Sequence, residues 1–225
     1  MPDFPPSRPS RVRVENPWPM IDCGRFPVKR TEGDVVEVSA GVWSDGHDLL
    51  RAELVFRGPG DREWQRTEMR RVDAHEDGDR WAGTFAVTSM GRWQYGIEAW
   101  RDEFATWRDE LARKVQGGQE ELQSEVLEGA LLLDSALDRI DDASDQRVVE
   151  HALDQLRDDD VPQPSKHAVA LDSQLSGALA RWPERKDVAT LDEPLEVIVD
   201  RERARFGSWY ELFPRSFGGF AGVRK

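Results

Sequence analysis

Tryptophan is the residue whose placement first suggests chemistry here. Six of the nine lie between Trp43 and Trp107. An indole face suits the apolar face of a pyranose ring, so exposed members of this set could stack on a sugar chain. The preferred reading is core packing, because Trp81, Trp93 and their in-register neighbours fall on the inward face of their strands. Carboxylates crowd two stretches, "DDASD" at Asp141 to Asp145 and "RDDD" at Arg157 to Asp160. Neither has the alternating ligands and glycine of a calcium loop, and both read as solvated helix ends. His47, His75, His151 and His167 show no HxxxH or HxH spacing, so surface or turn positions are expected. Cys23 is the single cysteine, which rules out an internal disulfide and a thiolate metal cluster. No metal site and no cofactor are expected.

The chain carries no GxSxG elbow, no GxxxxGK(S/T) loop and no strand followed by GxGxxG. "FGGFAG", Phe217 to Gly222, is rich in glycine, yet a phosphate cradle needs a helix N-terminus behind it, and the sequence is not expected to reach one. By residue types alone no catalytic and no substrate-binding position is visible. A net charge of −13 argues against nucleic acid and anionic membrane as partners. Between Arg108 and Glu193 acidic residues outnumber basic ones about two to one, so nearly all of the excess charge falls in one internal segment. No run approaches the roughly 20 apolar residues of a membrane span. The opening "MPDFPPSRPSRVRV" lacks the apolar stretch of a secretory signal, and a cytoplasmic location is expected.

The elements that would position these residues fall into two kinds. From residue 34 to 100 the apolar period is two: Val36, Val38, Ala40 and Val42; Leu50, Ala52, Leu54 and Phe56; Trp81, Gly83, Phe85 and Val87; Trp93, Tyr95, Ile97 and Ala99. "SDGHD", "RGPGDRE" and "EDGDR" separate these runs with turn chemistry. Short strands without intervening helices predict an antiparallel sandwich. After Trp107 the spacing becomes helical. Leu122, Val126, Ala130, Leu133, Leu137 and Ile140 form one stripe; Val149, Ala152, Leu153 and Leu156 a second; Ala168, Leu171, Leu175, Leu179 and Trp182 a third. Three helices are expected, with Ser165 capping the last. "PLEVIV", Pro194 to Val199, then restores period two and is expected to rejoin the sandwich, which makes the helices an insertion.

Five stretches resemble one family. They are "DCGRFPVKR" at Asp22 to Arg30, "SDGHD" at Ser44 to Asp48, "YGIEAWRDEFATWRDEL" at Tyr95 to Leu111, "LEGALLL" at Leu127 to Leu133, and "DRERARFGSWYELFPRS" at Asp200 to Ser216. The family is that of the maltosyltransferases that extend α-1,4-glucans from α-maltose 1-phosphate, within the α-amylase superfamily. The resemblance implies an N-terminal β-sandwich carrying a helical insertion, both involved in homodimer contacts, followed by a (β/α)8 catalytic barrel. "WYELFPRS" resembles the first barrel strand, whose density of apolar residues suits burial on both faces. It also implies a retaining pair of carboxylates, one forming a β-maltosyl enzyme and one acting as general acid and base. Those residues belong to later barrel strands. None maps onto residues 1 to 225, and Asp200, Glu202 and Glu211 are not assigned that role. The terminal "FGGFAGVRK" departs from the family's glycine-threonine-phenylalanine run.

The expected fold class is therefore α+β: an immunoglobulin-like antiparallel β-sandwich with an inserted three-helix bundle, then the start of a truncated barrel. The expected divisions are 1–11, a flexible arm; 12–107, the sandwich; 108–193, the helical bundle; 194–206, the returning strand and connector; and 207–225, the start of the barrel. The expected role is the non-catalytic N-terminal part of a maltosyltransferase of glycogen-like glucan synthesis, serving dimerisation and support of the barrel. Two other roles are weighed, a free-standing glucan-binding module and an acidic protein-interaction scaffold.

Overall fold

Apolar side chains at every second position give each strand one face to bury, and two such faces closing on each other make a core. The computed structural model describes residues 10–72, 79–119, 121–207 and 211–224. Its strands are β1 (Val12–Trp18), β2 (Val28–Thr31), β3 (Val35–Ser44), β4 (Leu50–Arg57), β5 (Gln65–Glu68), β6 (Arg70–Arg71), β7 (Arg80–Ala86), β8 (Gly91–Arg101), β9 (Ala189–Thr190) and β10 (Leu195–Asp200). One sheet runs β1-β3-β7-β6; the other runs β2-β10-β8-β4-β5, with β9 also paired to β8. Val36, Val38, Ala40 and Val42 of β3 meet Ala52 and Leu54 of β4 and Trp93, Tyr95, Ile97 and Ala99 of β8 in one core between the sheets. These are the alternating residues read from the sequence.

Aromatic contacts knit the two layers. Phe85 of β7 stacks on Phe56 of β4 with 4.8 Å between ring centroids and lies 5.9 Å from Tyr95. The buried Tyr95 hydroxyl donates to the Pro19 carbonyl and so fastens the loop after β1. Burial pushes that phenol above its ordinary pKa. Between β5 and β6 the chain crosses from one sheet to the other at buried Met69, whose N–H donates to the Ala52 carbonyl at 2.9 Å. Gly46 and Gly60 supply the positive φ, 100° and 85°, that two of the expected turns need. The third, "EDGDR", falls largely outside the described residues, as do His75, residues 1–9 of the expected arm and Ser208 to Tyr210.

The helices are α1 (Glu103–Gln116), α2 (Gln123–Leu137), α3 (Ala143–Arg157), α4 (Gln163–Ala170), α5 (Ser173–Arg181) and a single turn, α6 (Phe220–Val223). Five of them lie between β8 and β10, which are neighbours in one sheet, whereas the apolar stripes predict three. The helix that the stripes omit, α1, starts ahead of Trp107 because the Asp102 carboxylate accepts from the Ala105 N–H and caps it. The third expected helix is two. Asp172 accepts from the N–H groups of Gln174 and Leu175 and opens α5, which shifts the buried face of α4. Ala168 is exposed, while Lys166, His167 and Ala170 are buried. Ser165 is not a cap. The helix starts at Gln163 with Pro164 in its first turn, where the missing N–H would have had no helical partner.

A second core gathers Leu111 of α1, Val126, Ala130 and Leu133 of α2, Val149, Leu153 and Leu156 of α3, and Leu175 and Leu179 of α5. Close approach is possible because position 129 carries no side chain. A Cβ there would lie 2.1 Å from the Trp107 ring. The second sheet and the helical segment are joined by arginines. Arg51 of β4 donates to the Ala180 carbonyl at 2.9 Å, and Arg185 stands 5.2 Å above the ring of Trp100 while pairing with Glu53 at 2.5 Å.

Candidate functional site

The tryptophans proposed as sugar platforms are mostly structural. Trp93, Trp100 and Trp107 are buried, and the indole N–H groups of Trp93 and Trp107 donate to the carbonyls of Ser89 and Glu125, each at 2.9 Å. Trp81 packs on the sandwich core, and Trp64 is covered by the Arg57 guanidinium 4.5 Å from its ring. Trp18 and Trp43 are exposed, at 50% and 40%. Trp209 lies outside the described residues.

The acidic stretches divide in two. Asp142 caps α3, accepting from the N–H groups of Ser144 and Asp145. Asp145 is not the solvated helix end that the sequence suggests. It is buried, accepts from Arg181 and lies 2.9 Å from the Trp182 indole nitrogen, which donates to it. The Arg181 guanidinium, helped by Trp182, holds its pKa down to about 2. This clamp joins the start of α3 to the end of α5. Residues thirty-odd positions apart leave no spacing signal, so sequence reasoning missed it. The Asp158 to Asp160 run is exposed at the end of α3.

The histidines differ from expectation at one position. His47 and His151 are exposed, but His167 is buried beside Lys166, whose ammonium donates to the Leu156 carbonyl at 3.0 Å. Cys23 is exposed in the loop between β1 and β2. Among the described residues no cluster of three or more His, Cys, Asp or Glu could hold a metal ion, and no helix is long and apolar enough to cross a membrane. Asp200 ends β10, Glu202 is exposed in the 3₁₀ turn Glu202–Phe206, and Glu211 is exposed beyond it. The glycines of "FGGFAG" do lead into a helix, α6, but its single turn of four residues is too short to offer a phosphate cradle.

What the surface offers is apolar side chains. Leu127 and Leu131, one turn apart on α2, are 61% and 60% exposed, although the opposite side of the same helix enters the helical core. Met20, Ile21 and Phe26 are exposed in the loop after β1, and Phe206, Phe213, Phe217 and Phe220 near the end of the chain. Glu211 to Phe213 belong to no strand, so in the described part of "WYELFPRS" nothing completes a sheet of the sandwich.

Fold and surface together define a two-sheet β domain interrupted by helices and bearing exposed apolar side chains. Residues 10–201 match the family model described as alpha-1,4-glucan:maltose-1-phosphate maltosyltransferase, domain N/S, and the chain belongs to that family. It is 42% identical to the alpha-1,4-glucan:maltose-1-phosphate maltosyltransferase of Myxococcus xanthus over 91% of this chain and 31% of the relative. Identity is 39% to maltosyltransferase 1 of Streptomyces coelicolor, over 95% and 31%, and 33% to the Mycobacterium tuberculosis enzyme, over 94% and 33%. The chain thus spans about a third of the length of these relatives.

Proposed function

We propose that this chain is the non-catalytic N-terminal part of a maltosyltransferase that moves maltosyl units from α-maltose 1-phosphate to the non-reducing end of α-1,4-glucans. The match of residues 10–201 to domain N/S carries this reading, together with relatives named for that activity. In the parent a retaining pair of carboxylates outside residues 1 to 225 performs the transfer. The divisions given above describe the parts, the sandwich being immunoglobulin-like and the segment from 207 onward opening the catalytic barrel. Exposed Phe213, Phe217 and Phe220 support the last point, since such side chains gain from cover by further protein.

The segment's own task is assembly. Leu127 and Leu131 on the outer face of α2 form the contact between two copies, and the sandwich carries the barrel. A two-fold contact places the same leucine pair of each copy against its partner. Light scattering coupled to size-exclusion chromatography tests this: the full chain elutes with the mass of two copies, and the double variant Leu127→Asp, Leu131→Asp with the mass of one. A monomeric wild type, or a dimeric double variant, contradicts the assignment.

A further inference from the structure

A cavity of about 500 Å³ opens among α1, the end of α2 and α5, and Phe104, Arg108, Leu132, Arg139, Gly177 and Trp182 line it. Its volume is that of a small-molecule site, about 300–1,000 Å³. The state of its charges says what head group it would hold. Four carboxylates share the lining, and each already has a cation. Asp109 pairs with Arg113 at 3.0 Å, and Glu103 and Glu184 pair with Lys186 at 3.3 and 2.6 Å. Asp102 lies 3.9 Å from Arg51 and also accepts from the Ala105 N–H. None is left to neutralise the two arginines of the lining, and neither Arg108 nor Arg139 forms an ion pair among the described residues.

Backbone carbonyls hold both guanidinium groups in place without cancelling their charge. Arg108 donates to the Leu171 carbonyl at the end of α4, at 2.7 Å, while its Nε is buried with no acceptor among the described residues. Arg139, just past α2, donates to the Trp182 carbonyl through Nε at 2.8 Å and to the Ser135 carbonyl through Nη1 at 3.0 Å. A cation already fixed in position binds without first giving up side-chain freedom, and guanidinium N–H groups match the oxygens of carboxylates and phosphates. Phe104, Leu132 and Trp182 add apolar wall that a bare inorganic ion would leave uncovered. We infer that this cavity binds a small organic anion, its oxyanion head held by Arg108 and Arg139 and its aromatic or aliphatic body packed on Phe104, Leu132 and Trp182. Carboxylates and phosphate monoesters share that chemistry. The site is independent of the function proposed above.

Gly177 allows a test that spares the fold. It lines the cavity from the middle of α5, and a Cβ there would meet only Arg181 Nη1, at 3.9 Å. Gly177→Leu therefore fills the space while improving helix propensity, and its melting temperature should equal or exceed that of the wild type. Isothermal titration of the full chain uses two probes, hydrocinnamate for a carboxylate head and phenyl phosphate for a phosphate head. At least one should bind saturably, and the tighter of the two identifies the head group. That binding should weaken at least about tenfold in Gly177→Leu, and by a similar factor in Arg139→Gln, which removes one of the two charges. Hydrocinnamide, which keeps the body of hydrocinnamate without its charge, should bind at least about tenfold more weakly than the better anion. The Trp182 indole resonance should shift during the wild-type titration while that of Trp43 stays. Binding of neither anion by the wild type, or equal binding by a folded Gly177→Leu protein, overturns the proposal. Equal affinity for hydrocinnamide, or an unchanged affinity in Arg139→Gln, overturns the assignment of an anion.

Discussion

The sandwich and the helical segment are held together by different means. Sandwich stability is aromatic and long-range: Phe56, Phe85, Trp93 and Tyr95 reach across two sheets whose strands come from both ends of the chain. The helical core is made of leucine, valine and alanine from consecutive helices, closed by an ion pair between buried Asp145 and exposed Arg181 and by one position too tight for any side chain. Because β8 and β10 flank the helices in sequence and pair in one sheet, damage to the sandwich removes both anchors of the helical segment. Damage to the helices leaves the sheet hydrogen bonds intact. Cooperativity should therefore run in one direction.

The largest effect is expected from Leu54→Ala, which opens a cavity in the fully buried sandwich core at a cost of about 3 kcal/mol. Amide hydrogen exchange should show protection falling in β3 and in α3 together. Gly129→Ala pushes a methyl into the Trp107 ring and costs about 2 kcal/mol after the better helix propensity of alanine is counted. Exchange should accelerate in α1 to α3 while β3 and β8 keep their protection; uniform loss would show that the two regions melt as one. Tyr95→Phe removes the buried hydrogen bond to Pro19 and costs about 1 kcal/mol, read as a small drop in denaturation midpoint with the sheets retained.

The finest comparison uses pH. Asp145 is held down to about 2 in the folded chain from an ordinary value of 3.8, so its contribution is present above about pH 4 and is lost as pH falls toward 2. Wild-type helical signal should weaken over that window by more than the other carboxylates account for. Asp145→Asn should lack that part of the acid dependence, and thermal melts of both proteins at pH 5, 4, 3 and 2 check it. A parallel decline in wild type and variant would mean that the clamp with Arg181 contributes nothing.

Much of this was legible in the sequence wherever one physical period dominated. The inward residues of β3 and β8 and the stripes of α2 and α3 are those that alternation and helical spacing single out, because burial on one face leaves that mark. The short strands were not. Gln65–Glu68 and Arg70–Arg71 carry no apolar alternation and are held by their neighbours' hydrogen bonds. The division of α4 from α5 turns on a single cap, Asp172, inside what looks like one continuous stripe. The clamp of Asp145 with Arg181 and Trp182 could not be read at all, since its members come from separate segments that only the folded chain brings together. The family motifs, in contrast, were visible directly, and the match over residues 10–201 agrees with the four that lie within it.

Whether this chain contributes support or chemistry is tested most directly by incubating it with α-maltose 1-phosphate and maltohexaose and following phosphate release. No release above the spontaneous hydrolysis of the donor is expected, however much chain is added. Release that rises in proportion to chain concentration, with longer glucans appearing alongside, would place the transfer machinery within residues 1 to 225 and contradict the assignment.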